Sequence, residues 1–147
     1  MSPASVRTPF RKYVLDANAL IGFFEDRSGT VSKVRRLFEE AFRHDRPLLL
    51  SAVNWGEVFY ITCRHHGEEK ARDVEAKLQQ LPVIIIGVDA ERATRVASLK
   101  CRHGLGYADA FAAELAIEKE AWLVTADPEF SRLGKILSIV SLPQYRG

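Results

Sequence analysis

The sequence holds little sulfur: two cysteines, Cys63 and Cys101, and one methionine. Two cysteines build no disulfide framework, and no paired Cys/His ligand spacing accompanies them. A disulfide scaffold and a zinc finger are therefore excluded. Excess charge is also lacking. Lys and Arg number 21, Asp and Glu 19, and the net charge is +2. That balance neither requires nor forbids a nucleic-acid partner, because binding depends on local patches. No apolar run is long enough to span a bilayer. Internal repeats, low-complexity stretches and interdomain linkers are missing too. The opening stretch "MSPASVRTPFRKYVLDAN" has no apolar leader core before Asp16, so a soluble cytoplasmic protein is expected.

What is present is ordinary globular material. The chain has 147 residues, 47% hydrophobic and 27% charged. That is enough for one domain with a real core. Residues 1–10 read as a loose Ser/Pro/Arg tail, and 11–147 as a single domain. "KYVLD" reads as a short strand and "ANALIGFFED" as a short helix. "TVSKVRRLFEEAFRHD" has apolar residues at three- and four-residue steps, an amphipathic helix that Pro47 ends. "LLLS" is a buried strand whose Ser51 caps the helix "AVNWGEVFYITCRHH", closed by Gly67. "EEKARDVEAKLQQL" is helical. "VIIIG" lacks alternation, which predicts a central strand covered on both faces. Asp89 caps a helix through about Cys101, and "GLG" resets the chain before "YADAFAAELA". "AWLVTAD" and "ILSIVSL" are the last strands. Strands alternating with helices predict an α/β/α sandwich on a mainly parallel sheet of four to five strands.

Four acids sit oddly on this frame. On a helical wheel, Asp109 falls among Ala108, Ala112, Ala113 and Ala116, while Glu114 and Glu118 define the solvent face. Glu57 is flanked by Val53, Tyr60 and Ile61. Asp16 and Asp127 directly follow strands. Each has a plain structural role available. Asp16 and Asp127 can be N-caps, Asp109 suits a helix dipole, and Glu57 can pair with Arg64 or Lys70. Together they converge on the carboxyl edge of a parallel sheet, where ligands of open α/β folds bind. Four carboxylates in one site need a counter-charge. A hard divalent cation, Mg²⁺ or Mn²⁺, suits an all-oxygen donor set, and zinc does not.

"VLDANALI", "SAVNWGEV", "GLGYADAFAAELA" and "LVTADPEF" resemble, in order, the motifs of the PIN domain, and most of all the VapC-type toxins of bacterial toxin–antitoxin pairs. The resemblance implies a three-layer PIN fold and an Mg²⁺- or Mn²⁺-dependent endoribonuclease leaving 5′-phosphate and 3′-hydroxyl ends. It makes Asp16, Glu57, Asp109 and Asp127 the catalytic, metal-binding quartet, with Asp16 and Asp109 as direct ligands. Asn18 and Thr125 would orient the acids, and Asn54 is a weaker candidate. A VapB-type antitoxin and a homodimer are also implied. "LIGFF" and "WGEVFYI" are large apolar stretches that would line a groove for that partner. Candidate RNA contacts are Arg35, Arg36, Arg46, Arg64 and Arg102, with Arg43 and Lys100 beside them. His65, His66 and His103 are expected on the surface. A processing nuclease outside toxin–antitoxin systems shares every one of these features. A non-catalytic PIN module predicts lost acids, and here none is lost. A phosphoacceptor receiver wants adjacent acids after its first strand, whereas Ala17 and Asn18 follow Asp16.

Overall fold

The computed structural model describes residues 11–145; the expected tail, 1–10, lies outside them. Five strands form one sheet: β1 (Tyr13–Leu15), β2 (Leu48–Ser51), β3 (Val83–Ile86), β4 (Trp122–Thr125) and β5 (Ser138–Ser141). Their spatial order is β3-β2-β1-β4-β5, and every pairing is parallel. Six α-helices connect them among the described residues: α1 (Ala17–Phe24), α2 (Thr30–His44), α3 (Ala52–His66), α4 (Glu68–Leu78), α5 (Ala90–His103) and α6 (Tyr107–Glu118). A 3-10 segment, Pro128–Ile136, lies between β4 and β5.

Strand alternation sorts the core into two layers. Leu15, Leu48, Leu50 and Val124 face α1, α2, α3 and α4. Val14, Leu49 and Leu123 face α5, α6 and the 3-10 segment. The expected α/β/α sandwich is thus present. No helix among the described residues is long and apolar enough to cross a membrane.

Four local expectations change. The run "VIIIG" forms an edge strand, not a central one, and Ile84 and Ile85 are 47% and 42% exposed. Pro47 does not end α2, which closes three residues earlier where Asp45 takes a left-handed φ of 52°. Glu114 is not on a solvent face: it is 6% exposed, covered by α5. The last two strands are not consecutive elements, since the 3-10 segment separates them, bending at Gly134 with φ 57°.

The strand order positions the site. The chain steps from β1 outward through β2 to β3, then returns beside β1 as β4. The connections therefore part between β1 and β4, and such a switch point leaves a crevice at the carboxyl ends of the two strands.

Candidate active site

Asp16 stands in that crevice. It follows β1, its backbone N–H donates to Val124 O at 3.0 Å, and it caps α1 by accepting from Ala17 N at 2.9 Å. The capping role and the site role thus use one carboxylate. Its other oxygen, Oδ2, accepts from the Thr125 hydroxyl at 2.8 Å and from Asn18 Nδ2 at 3.0 Å. Asn18 Oδ1 in turn accepts from Ala126 N, and Thr125 Oγ1 accepts from Asp127 N. The end of β1 and the end of β4 are therefore laced together by side chains whose positions the strands fix.

Asp109 lies in the first turn of α6, which starts without a side-chain cap at Gly106. A Cβ on Gly106 would stand 3.1 Å from Asp109 Oδ2, so the glycine keeps that carboxylate clear. Glu57 lies in the second turn of α3, whose N-cap Ser51 is the last residue of β2. Fully buried Asn54 donates to Ala108 O at 3.1 Å and ties α3 to α6 beside the site. Its Oδ1 is buried without a partner. Asp127 caps the 3-10 segment by accepting from Glu129 N at 2.9 Å.

These acids feel one another. Burial lifts the Asp16 carboxyl to about 7, opposed by the Thr125 hydrogen bond and reinforced by Asp109 and Glu57. Burial also lifts Asp109 to about 6, with Asp127, Glu57 and Glu129 adding like charge. Glu57 is raised by burial, against a hydrogen bond from Asn54. The cluster is a carboxylate-rich crevice. An all-oxygen donor set of this kind fits a hard divalent cation.

Two residues escaped the sequence reading. Carboxylate oxygens of Asp109, Asp127 and Glu129 all lie within 4.8 Å of one another. The only sequence signal for Glu129 is its place two residues after Asp127. Arg27 shares a hollow of about 280 Å³ with Asn18, Ser28, Thr30, Ala126 and Tyr145. Nothing in a linear pattern places Arg27 there.

The expected basic contacts are scattered. Arg35 and Arg36 lie exposed on α2, and Arg64 lies in the last turn of α3. Arg46 precedes β2, at the edge of the sheet opposite the acids. Arg102, in the last turn of α5, is one short connection from the turn that carries Asp109. Lys70 pairs with Asp73, not with Glu57. His65 and His66 are half-exposed and sit against Glu25, away from the quartet.

A parallel five-stranded sheet with an acid-lined crevice at its switch point defines a small α/β protein with a candidate ligand site at the carboxyl ends of its strands. Residues 13–136 match the PIN domain family, and the chain belongs to it. In fold it is similar to VapBC2 from Rickettsia felis, solved bound to a DNA fragment from its promoter (TM-score 0.69, 18% identity, 88% of this chain and 98% of that one). DNA-bound VapBC from Salmonella typhimurium is similar as well (TM-score 0.67, 18% identity, 90% and 98% covered). So is the sarcin-ricin-loop-cleaving toxin VapC20 of Mycobacterium tuberculosis (TM-score 0.62, 17% identity, 84% and 95% covered). No curated protein matches the chain significantly in sequence.

Proposed function

We propose that this chain is a metal-dependent endoribonuclease and the toxin of a VapBC-type pair. The observation that carries the reading is the convergence of Asp16, Glu57, Asp109 and Asp127 on the sheet's switch point, with two carboxyls lifted by burial and by one another. Membership of the PIN family supports the nuclease, and the toxin–antitoxin neighbours in fold support the biological role. VapC20's activity on the sarcin-ricin loop makes structured RNA a reasonable substrate class to test.

Asp16 and Asp109 would hold Mg²⁺ or Mn²⁺ directly, with Glu57 and Asp127 completing the oxygen set directly or through water. When bound, the cation supplies Lewis acidity, acidifying water and polarising a phosphodiester for in-line attack. The chain's own share is orientation. Thr125 and Asn18 fix the Asp16 carboxylate from β4 and α1, so it need not reorganise when substrate arrives. Gly106 leaves room on the Asp109 side. The acid-rich crevice repels phosphate until neutralised, which couples RNA binding to cation binding. A VapB-type antitoxin, homodimerisation and a cytoplasmic setting belong to the same reading.

The deciding experiment digests a total-RNA pool with purified protein, wild type beside Asp16→Ala, in Mg²⁺, Mn²⁺ or EDTA. Discrete cuts are expected that need metal, vanish in the variant and leave 5′-phosphate ends. Full activity in EDTA, or 2′,3′-cyclic phosphate products, overturns the mechanism. A small neighbouring reading frame with a DNA-binding N-terminus separates a toxin from a processing nuclease.

A further inference from the structure

A second cluster of metal-ligating atoms lies outside the acid crevice. Glu25 caps the C-terminus of α1, and His65 and His66 are the last two residues of α3. Glu25 Oε2 stands 3.2 Å from His66 Nε2 and 3.9 Å from His65 Nδ1. The three donor atoms all lie within 4.8 Å of one another. The imidazoles are nearly perpendicular, at 85°. They open onto a cleft of about 490 Å³ lined also by Arg27, Lys70 and Tyr145.

We infer that Glu25, His65 and His66 form a binding site for a borderline transition-metal ion, Zn²⁺ first, at the joint between α1 and α3. Tetrahedral zinc with bonds of about 2.0–2.1 Å places neighbouring donor atoms roughly 3.4 Å apart. The Glu25–His66 separation already meets that spacing. The two imidazoles have side chains 51% and 48% exposed, so a rotation about their side-chain torsions closes the rest.

The surroundings fit a cation. Two helix C-termini meet here, and each carries partial negative charge. Arg27 occupies the other Glu25 oxygen: its Nε and Nη2 donate to Oε1 at 3.1 and 2.8 Å. That bond orients the carboxylate and leaves Oε2 toward the histidines, as an outer-shell partner does. Lys70, the other cation on the cleft, is paired with Asp73 at 3.4 Å. Two imidazoles and one carboxylate favour Zn²⁺, Co²⁺ or Ni²⁺ over Mg²⁺, whereas an all-oxygen crevice also accepts Mg²⁺. The first residue after Asp16 opens α1, and Glu57 is carried by α3. A metal at Glu25 thus fastens the far ends of two helices that bear crevice acids. This inference does not depend on the nuclease reading.

The test uses tag-free full-length chain, titrated with Zn²⁺ by calorimetry and with Co²⁺ by visible absorption. Wild type is compared with His66→Ala, Glu25→Gln and Asp16→Asn. With the crevice held by excess Mg²⁺, one saturable equivalent per chain is expected, with a Tm rise of about 5–10 °C at a hundredfold excess over Kd. His66→Ala and Glu25→Gln should each weaken uptake more than tenfold, and Asp16→Asn should leave it unchanged. Absence of saturable uptake, or uptake indifferent to His66→Ala, would overturn the site. So would uptake lost in Asp16→Asn, which would place the ion in the crevice.

Discussion

Asp16 is asked to do three things at once: cap α1, bond across to β4 and remain available in a crevice. Burial raises its pKa to about 7, so it binds its proton more tightly folded than unfolded. A carboxyl shifted upward favours folding fully below its unfolded pKa and loses that contribution as pH rises through its folded pKa. The metal-free chain should therefore lose stability between about pH 4 and pH 7, with Asp109, lifted to about 6, acting in the same sense. Asp16→Asn should raise the metal-free Tm at pH 8 by roughly 3–6 °C and change it little at pH 4. Adding Mg²⁺ should narrow that gap from the wild-type side. An equal shift at both pH values would remove electrostatics as the cause. The sequence disclosed Asp16 because an acid directly after a strand is visible in one dimension. Glu129 and Arg27 were not visible, because a 3-10 turn brings Glu129 to Asp109 and the loop after α1 brings Arg27 into a hollow with Asn18.

At the scale of elements, α6 shows where a helical wheel misleads. The wheel correctly separated Asp109 from Glu114 and correctly left Glu118 exposed, but it put Glu114 in water where it is buried. Glu114 is buried at 6% because α5 lies over that face and supplies Arg92 and Arg95, whose nitrogens stand 2.8 and 3.0 Å from it. A wheel reports which residues share a face, not what covers the face. Those two arginines also reach Glu118, which is more exposed. Glu114→Ala should cost about 2–3 kcal/mol in denaturant unfolding, less than a fully orphaned buried ion because Glu118 still holds both arginines. Glu118→Ala should cost under about 1 kcal/mol, as an exposed partner does. Equal costs would show that burial is not what distinguishes them. The strand "VIIIG" fails for a related reason. Its four isoleucine and valine positions say strand, but rank within the sheet is set by which neighbours pair, and β2 pairs it on one side alone.

At the scale of the whole molecule, the fold class and the convergence of the acids followed from chain order, since a parallel sheet puts every strand's carboxyl end on one edge. The basic residues carried no such rule, and the fold disperses them. Arg46 lies before β2, at the edge away from the acids, whereas Arg27 shares a hollow with Asn18. Arg27 is also held in place: it bonds Glu25, and its guanidinium stacks 3.8 Å from the Tyr145 ring centroid. A phosphate next to the cleaved bond would meet a preset guanidinium there. Arg27→Ala should then raise KM for RNA about tenfold with kcat nearly kept, and lower the salt slope of binding by about one. Arg46→Ala should change neither by more than about twofold, because a charge across the sheet is screened at physiological salt. Kinetics on a short RNA at several salt concentrations decide between them. If Arg46→Ala matched Arg27→Ala, the RNA would have to wrap from the acid edge to the opposite one, and the substrate would be a folded RNA longer than the crevice itself.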